Sequence, residues 1–144
     1  MLDEAAKAAR RAAINAELIP LRSRRDGNVS TRNQLIAQLE RLQPARNKLR
    51  NCIHDALTVA RNMENCHQSI PQSHFRGRRR QHLANRLGDT GGNIRTQRDR
   101  HQRNLERLET QINNGQNRRD ELTGTINTQN NRISALEAEL RTLW

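Results

Sequence analysis

Aromatic and apolar side chains are scarce in this sequence. Its 144 residues include one Phe, one Trp and no Tyr, and only 33% of them are hydrophobic. Globular domains are about half apolar, so this chain cannot build a broad core. Two possibilities remain: a disordered chain, or helices that pack along a narrow apolar seam. Regular heptads favour the seam, because a disordered chain has no reason to keep a helical period.

Long apolar runs are also missing. No stretch of 18 apolar residues exists, which is about the length that a membrane-spanning helix needs. Residues 1–20 lack the apolar segment of a cleaved signal peptide. We therefore expect a cytoplasmic protein with no membrane span, whose export would need a route without such a signal.

Cysteine is limited to Cys52 and Cys66. On one helix they would lie about 21 Å apart along the axis, and a disulfide needs Cα atoms within about 7 Å. We expect two small, buried apolar residues.

A metal site is not predicted. Cys66, His67, His74 and His82 surround a predicted turn, but their spacing matches no standard zinc pattern. Exposed histidines are the better interpretation, and we predict no metal and no cofactor.

Catalytic motifs are absent as well. The sequence has no nucleophile elbow, no phosphate-binding glycine loop after a strand and no HExxH helix. We therefore predict that the protein is not an enzyme.

Basic charge is abundant: the net charge is +11, and all but Lys7 and Lys48 of the 26 basic residues are Arg. Such a surface attracts nucleic acid, anionic lipid or an acidic protein. An Arg bias that reflects genome composition explains the count equally well.

The last third of the chain carries a heptad seam. Leu and Ile recur there at alternating steps of three and four, with polar residues nearly everywhere else, which is typical of a coiled coil. We predict that the packing residues are Leu105, Leu108, Ile112, Leu122, Ile126, Ile133, Leu136 and Leu140.

A second seam lies in the first half, after a predicted N-terminal helix over residues 3–19, a proline at Pro20 and a turn signal at residues 26–28. Pro44 predicts a kink or a short break. The seam positions that we assign are Leu35, Leu39, Leu42, Ala45, Leu49, Cys52, Ala56, Val59, Met63, Cys66 and Ile70.

The two seams predict an all-α fold, a long antiparallel helical hairpin in one domain. Residues 1–30 form an N-terminal helical extension near Trp144, 31–69 the first arm, 70–76 the turn and 77–144 the second arm. The heptad phase continues across the glycines at 88–93 and 113–117, so we expect one long second helix. The alternative is a bundle of short helices that turns at 26–30, 71–75, 88–93 and 113–117.

The turn holds the most informative motif, Phe75-Arg76-Gly77. An aromatic ring can close the open end of a seam, and Gly allows two backbones to approach closely. The basic tip that follows, Arg76, Arg78, Arg79 and Arg80, is either a solvated surface or a contact for an acidic partner.

In this layout the chain resembles the W-x-G group of small helical hairpins in bacterial type VII secretion, in particular the longer members encoded beside LXG toxins. The resemblance covers roughly residues 31–143 and includes the C-terminal run from Ile133 to Leu140. Phe75 stands where that group usually has Trp, and the export tail Tyr-x-x-x-Asp/Glu is not present before Trp144.

The resemblance implies a non-enzymatic targeting partner or chaperone for a larger secreted protein, an LXG-type toxin with a helical N-terminal domain. The toxin's helices would pack along the hairpin, with or without a second small helical partner, and the complex would be exported by type VII secretion. Two alternatives remain open: a coiled coil like the flagellar type III export proteins that bind an ATPase, and an Arg-rich nucleic-acid-binding protein.

Overall fold

The computed structural model describes residues 3–69 and 77–144, and both ranges are almost entirely helical. Helix α1 spans Glu4–Ser69, helix α2 spans Arg78–Thr142, and no strand occurs in these ranges. The two long helices pack against each other. The prediction of an all-α helical hairpin is therefore confirmed. The predicted turn at 70–76, with Phe75 and Arg76, lies outside the described residues.

Helix α1 continues where the sequence predicts interruptions. It runs through Pro20, the 26–28 segment and Pro44 without ending, so the expected end near residue 19 and the turn at 26–28 are wrong. Thr31 lies inside this helix, and its hydroxyl donates a hydrogen bond to the carbonyl of Gly27 four residues earlier, at 3.0 Å. Both prolines are exposed, so their rings face solvent rather than α2.

Helix α2 is equally continuous. It passes through the glycines at 88–93 and at 113–117, as the unbroken heptad phase predicts. A glycine in a helix interior costs about 1 kcal/mol relative to Ala, which a long packed helix can absorb. The alternative bundle of short helices is wrong at 26–30, 88–93 and 113–117, and its break at 71–75 lies outside the described residues.

Buried and half-buried residues of α1 form a seam that recurs at steps of four and three from Ile14 to His67, and Val29, Ile36 and Leu57 are half-buried beside it. This α1 seam comprises Ile14, Leu18, Leu21, Arg25, Asn28, Arg32, Leu35, Leu39, Leu42, Arg46, Leu49, Ile53, Ala56, Ala60, Met63 and His67.

The α2 seam is just as regular from Ala84 to Leu143, and from Leu105 onward it uses the positions that the sequence predicts. It comprises Ala84, Leu87, Gly91, Ile94, Arg98, His101, Leu105, Leu108, Ile112, Gly115, Arg119, Leu122, Ile126, Gln129, Ile133, Leu136, Leu140 and Leu143.

The predicted α1 seam is wrong at four positions. Cys52 and Cys66 are exposed rather than buried, Ala45 is exposed, and Val59 is 48% exposed. The seam uses the residue after each of them, because the frame set by Ile14 and Leu18 runs on through polar positions such as Arg46. Two rows of small or apolar residues lie side by side on α1, and the predicted seam in this stretch belongs to the exposed row rather than the one that packs.

Tertiary contacts divide the chain into two compact units. The terminal unit comprises Met1–Glu40 and Asn113–Trp144, and the midchain unit comprises Arg41–Ile112. Each unit contains a segment of both helices.

The terminal unit has a continuous apolar core. Ile14, Leu18, Ile133, Leu136 and Leu143 form one buried cluster, and Leu21 and Leu140 pack against it. Each buried Leu or Ile side chain stabilises the fold by about 1.5–3 kcal/mol, which offsets the helix penalty of Pro20 nearby. At the end of this unit, the Arg11 guanidinium lies 4.6 Å from the centre of the Trp144 ring, so the N-terminal helix lies near Trp144 as predicted.

The midchain unit contains fewer buried side chains. Only Leu105 and Ile112 are buried apolar residues there among those that the structure describes, against eight in the terminal unit. In neither described range is a helix long and apolar enough to cross a membrane.

Candidate protein-binding site in the midchain unit

Charge is divided unequally between the two units. Of the 26 basic and 15 acidic residues, the midchain unit holds 15 and 6, a net charge of +9, and the terminal unit holds 11 and 9, a net charge of +2. All five histidines also belong to the midchain unit. An anionic or acidic partner is therefore attracted mainly to residues 41–112.

Ion pairs across the helix interface lie mostly in the terminal unit. Arg10 Nε is 2.6 Å from Glu139 Oε1, Arg132 Nε is 2.7 Å from Glu17 Oε1, and Arg22 pairs with Glu137. These side chains are substantially exposed, so each pair contributes little on its own. Their positions along the two helices fix an antiparallel register.

The same contacts shift the ionisation of both partners. The hydrogen bond from Arg10 lowers the pKa of the Glu139 carboxyl below its ordinary value, and the hydrogen bond from Arg132 does the same for the pKa of Glu17. In both cases the hydrogen bond from the arginine favours the ionised form of the carboxyl.

Close approach of the helices is centred on Gly115. A Cβ atom added there would lie 2.9 Å from Leu39 Cδ2 and 3.9 Å from Leu35 Cδ1. The absence of a side chain on α2 therefore makes the hole that Leu39 fills, in the knobs-into-holes manner of a coiled coil. Asn28 Nδ2 donates a 3.2 Å hydrogen bond to Gln129 Oε1 in another seam layer of the same unit.

Small residues occupy part of the midchain seam, at Ala56 and Ala60 on α1 and at Ala84 and Gly91 on α2. Ala56 and Ala60 on α1 face Gly91 and Ile94 on α2, and an open cavity of about 440 Å³ lies between them. Charged side chains, including Arg61, Arg95 and Arg98, also line this cavity. The two helices fill this part of their interface incompletely.

A second opening lies along one edge of the midchain interface, and it is uncharged. Cys52, Ala56 and Val59 on α1, with Thr90, Asn93, Ile94, Gln97 and His101 on α2, line a groove of about 310 Å³. No Asp, Glu, Lys or Arg is among its lining residues. Such a surface suits apolar contact with another protein segment.

Two seam histidines carry unsatisfied polar atoms. Among the residues that the structure describes, Nδ1 of His67 and Nδ1 of His101 are buried without a hydrogen-bond partner, as are Nε of Arg46 in the same unit and Nε of Arg32 in the terminal unit. Polar atoms left in this way lower the stability of a closed seam. Those of His67, His101 and Arg46 add to the incomplete packing of the midchain unit.

The predicted packing residues are found on the two seams. Among them Leu35, Leu42, Leu49, Leu108 and Leu140 are half-buried, and the buried ones are Leu39, Leu105, Ile112, Leu122, Ile126, Ile133 and Leu136.

The predicted turn motif and basic tip are described only from Gly77 onward. Gly77 has φ of +71°, a left-handed conformation that favours Gly, directly before α2 begins. Arg78, Arg79 and Arg80 form the exposed first turn of α2, so the described part of the basic tip is solvent-facing.

Some residues of the interface were not predicted. Ile14 and Leu18 are among the most buried residues, and extending the heptad backward from Leu35 through Asn28 and Leu21 would have identified them. The uncharged groove could have been predicted from the sequence only if the seam positions of α1 had been assigned correctly. That assignment depends on Arg46 and His67, which are half-buried although they are polar.

Metal-ligating groups do not converge in the part of the chain that the structure describes. No set of three or more His, Cys, Asp or Glu residues is placed to hold an ion there. His74, one of the four residues considered in the sequence, lies outside the described residues.

Comparison with known proteins returns no match: no family model, no curated protein and no solved structure is similar to this chain.

Proposed function

We propose that this chain is a non-enzymatic targeting partner or chaperone that packs on the helical N-terminal domain of a larger secreted protein, an LXG-type toxin exported by type VII secretion. The observation that carries the proposal is the incomplete interface of the midchain unit. Its helices leave an open cavity of about 440 Å³ and a groove of about 310 Å³, while the terminal unit closes over its own core.

The mechanism is helix addition. A partner helix that lies along the midchain unit buries apolar surface that α1 and α2 leave exposed, such as Val59. Burial of apolar area is worth about 25 cal/mol per Å², and recognition of a helix by a groove is a recurring mode of protein binding. The well-packed terminal unit keeps the hairpin folded before the partner arrives.

Co-expression tests this function directly. The tagged chain is produced together with the proteins encoded by neighbouring genes and purified on its tag. We expect a larger protein to co-purify in stoichiometric amount, and we expect a version of that protein without its N-terminal helices to be lost from the complex. If no such protein co-purifies, the proposed function is wrong.

A second candidate, nucleic-acid binding, is favoured by one observation: the midchain unit carries a net charge of +9. Contacts between arginines and phosphates release counterions, so the logarithm of the affinity falls linearly with the logarithm of salt concentration. A salt titration with duplex DNA and single-stranded RNA measures this slope. Binding that persists at physiological salt with a steep slope supports the second candidate, and no measurable binding removes it.

A further inference from the structure

One edge of the midchain interface differs in chemistry from every surface around it. The edge positions of α1 are those directly before the seam residues Arg46, Ile53, Ala60 and His67. They are Ala45, Cys52, Val59 and Cys66.

The edge positions of α2 follow the same rule, and they are Leu83, Thr90, Gln97 and Asn104. None of the eight side chains on the two helices is charged, in a unit with 21 charged residues. In the terminal unit, several positions of the same heptad register are charged instead, and they include those that form the ion pairs Arg10–Glu139 and Arg132–Glu17. We call the eight midchain positions the neutral edge.

Four of the eight neutral-edge residues line a groove. Cys52 and Val59 from one helix and Thr90 and Gln97 from the other line the same opening of about 310 Å³. Val59 is 48% exposed, and both cysteines are exposed. The floor of the groove is therefore apolar surface in contact with solvent.

Basic side chains border this floor on both sides. One helical turn before the edge positions, α1 carries Arg41, Lys48 and Asp55. The corresponding positions of α2 carry Arg79, Arg86, Asn93 and Arg100.

These border residues are exposed, and none of the five cations forms an ion pair within the described part of the chain. The groove thus combines a neutral floor with a rim of five cations and one carboxylate. An occupant with acidic flanks finds unpaired cations on both sides, which favours it electrostatically.

We propose that the neutral edge binds an amphipathic helix whose narrow apolar stripe is flanked on both sides by Asp or Glu. The apolar stripe covers Val59 and Cys52, and the acidic flanks pair with the basic rim. The edge runs from Ala45 to Cys66, which is about 32 Å of helix, so the occupant needs roughly three heptads. This inference deepens the proposed function by naming the face and the chemistry of the partner's docking helix.

Other occupants fit less well. A second copy of this chain would bring another midchain unit of net charge +9 against the rim, and like charges at an interface are strongly unfavourable. A nucleic acid would satisfy the rim, but its phosphates give no apolar surface for the floor at Val59. Only an acidic amphipathic helix satisfies both parts.

The test uses the full chain and two labelled synthetic helices of three heptads with the same Leu stripe. One helix has Glu at the flanking positions and the other has Lys. In fluorescence anisotropy at physiological salt we expect the Glu-flanked helix to bind at least about tenfold more tightly than the Lys-flanked helix, a difference of about 1.4 kcal/mol. Equal affinities would overturn the inference.

Two matched variants locate the site. Val59→Arg places a charge on the groove floor, whereas Thr58→Arg adds the same charge on the neighbouring exposed position of α1. We expect Val59→Arg to weaken binding of the Glu-flanked helix by about tenfold or more and Thr58→Arg to leave it unchanged. Circular dichroism confirms that both variants stay helical. Equal effects of the two substitutions would contradict the proposed site.

Further measurements separate the occupants and the two proposals. If the free chain self-associates and Val59→Arg abolishes this association, the groove binds a second copy. If duplex DNA displaces the Glu-flanked helix and binds the Val59→Arg variant less well, the groove binds nucleic acid. A co-purifying secreted protein that Val59→Arg still binds at full affinity leaves the proposed function intact and overturns this inference. If the Glu-flanked helix binds and depends on Val59, but no secreted protein co-purifies, this inference is supported and the proposed function is wrong.

Discussion

Single residues decide where the two helices can approach. Gly115 gives space to Leu39, whose Cδ2 would lie 2.9 Å from an added Cβ, whereas nothing lies within 4 Å of a Cβ at Gly124. Both glycines are inside α2 and belong to the terminal unit. Both glycines lower the helix propensity of α2 by the same amount, and they differ only in the side chains that surround them.

This contrast gives a matched pair of substitutions. Gly124→Ala should stabilise the fold by about 1 kcal/mol, because Ala restricts the unfolded chain and meets open space. Gly115→Ala gains the same propensity, but Leu39 has to move within a packed layer, which costs about 1–3 kcal/mol. Urea unfolding of both variants measures the difference, and equal gains in stability would show that Leu39 does not fill this hole.

Acidic side chains at the interface make stability depend on pH. The pKa values of Glu17 and Glu139 are lowered in the folded chain by hydrogen bonds from Arg132 and Arg10. Their contribution is therefore present above the unfolded pKa of about 4.3 and is lost as the pH falls through the lower folded values.

Thermal unfolding between pH 6 and pH 2.5 checks this dependence. The double variant Glu17→Gln/Glu139→Gln should lose less stability across the acid range than the unchanged chain, and the difference should shrink at high salt because the pairs are exposed. Parallel pH curves for the two proteins would show that these ion pairs do not contribute.

At the scale of elements, the two helices owe their continuity to tertiary packing. Pro20 is itself exposed, but it lies close in sequence to the buried Ile14 and Leu18 and the half-buried Leu21. These three side chains lie on the face of α1 that contacts α2. The loss of a backbone hydrogen bond at a helix-interior proline costs about 3 kcal/mol, and several buried side chains outweigh it.

The sequence alone predicted α2 better than α1 for a physical reason. In α2 the long Leu and Ile run from Leu105 to Leu143 marks the helix face, so the glycines at 88–93 and 113–117 could be read as interior. In α1 the face passes through Arg25, Arg32 and Arg46, which are half-buried although their side chains are charged. No hydrophobic signal marks these positions, so the predicted α1 frame shifted to Cys52, Val59 and Cys66.

Proline replacement tests the continuity of α1. Pro20→Ala should raise the free energy of unfolding by about 1–3 kcal/mol, because Ala restores the missing backbone donor and is the best helix former. Pro44→Ala should act in the same direction for the same reason. Chemical denaturation measures both effects, and a loss of stability in either variant would indicate that the proline is required where it stands.

At the scale of the whole molecule, packing and charge are distributed oppositely. Of the ten buried apolar side chains within residues 3–69 and 77–144, the terminal unit holds eight and the midchain unit holds two; the net charges of the units are +2 and +9. Self-repulsion and incomplete burial both lower local stability. We therefore expect the terminal unit to be the more stable of the two, and the midchain unit to be the one that the proposed partner covers.

Hydrogen exchange of the free chain should show this division. Amides near Leu18 and Leu136 should exchange only by global unfolding, whereas those near Ala60 and Gly91 should exchange by local opening and therefore much faster. Mass spectrometry of peptides from both units gives the comparison. Uniform protection along α1 and α2 would contradict the division.

The most direct measurement repeats this exchange with a binding partner present, either the co-purified secreted protein or the Glu-flanked synthetic helix. We expect protection of the backbone amides from exchange to rise between Ala45 and Cys66 and between Leu83 and Asn104, and to stay unchanged in the terminal unit. Protection that rises instead in the terminal unit, or nowhere along the chain, would contradict this expectation.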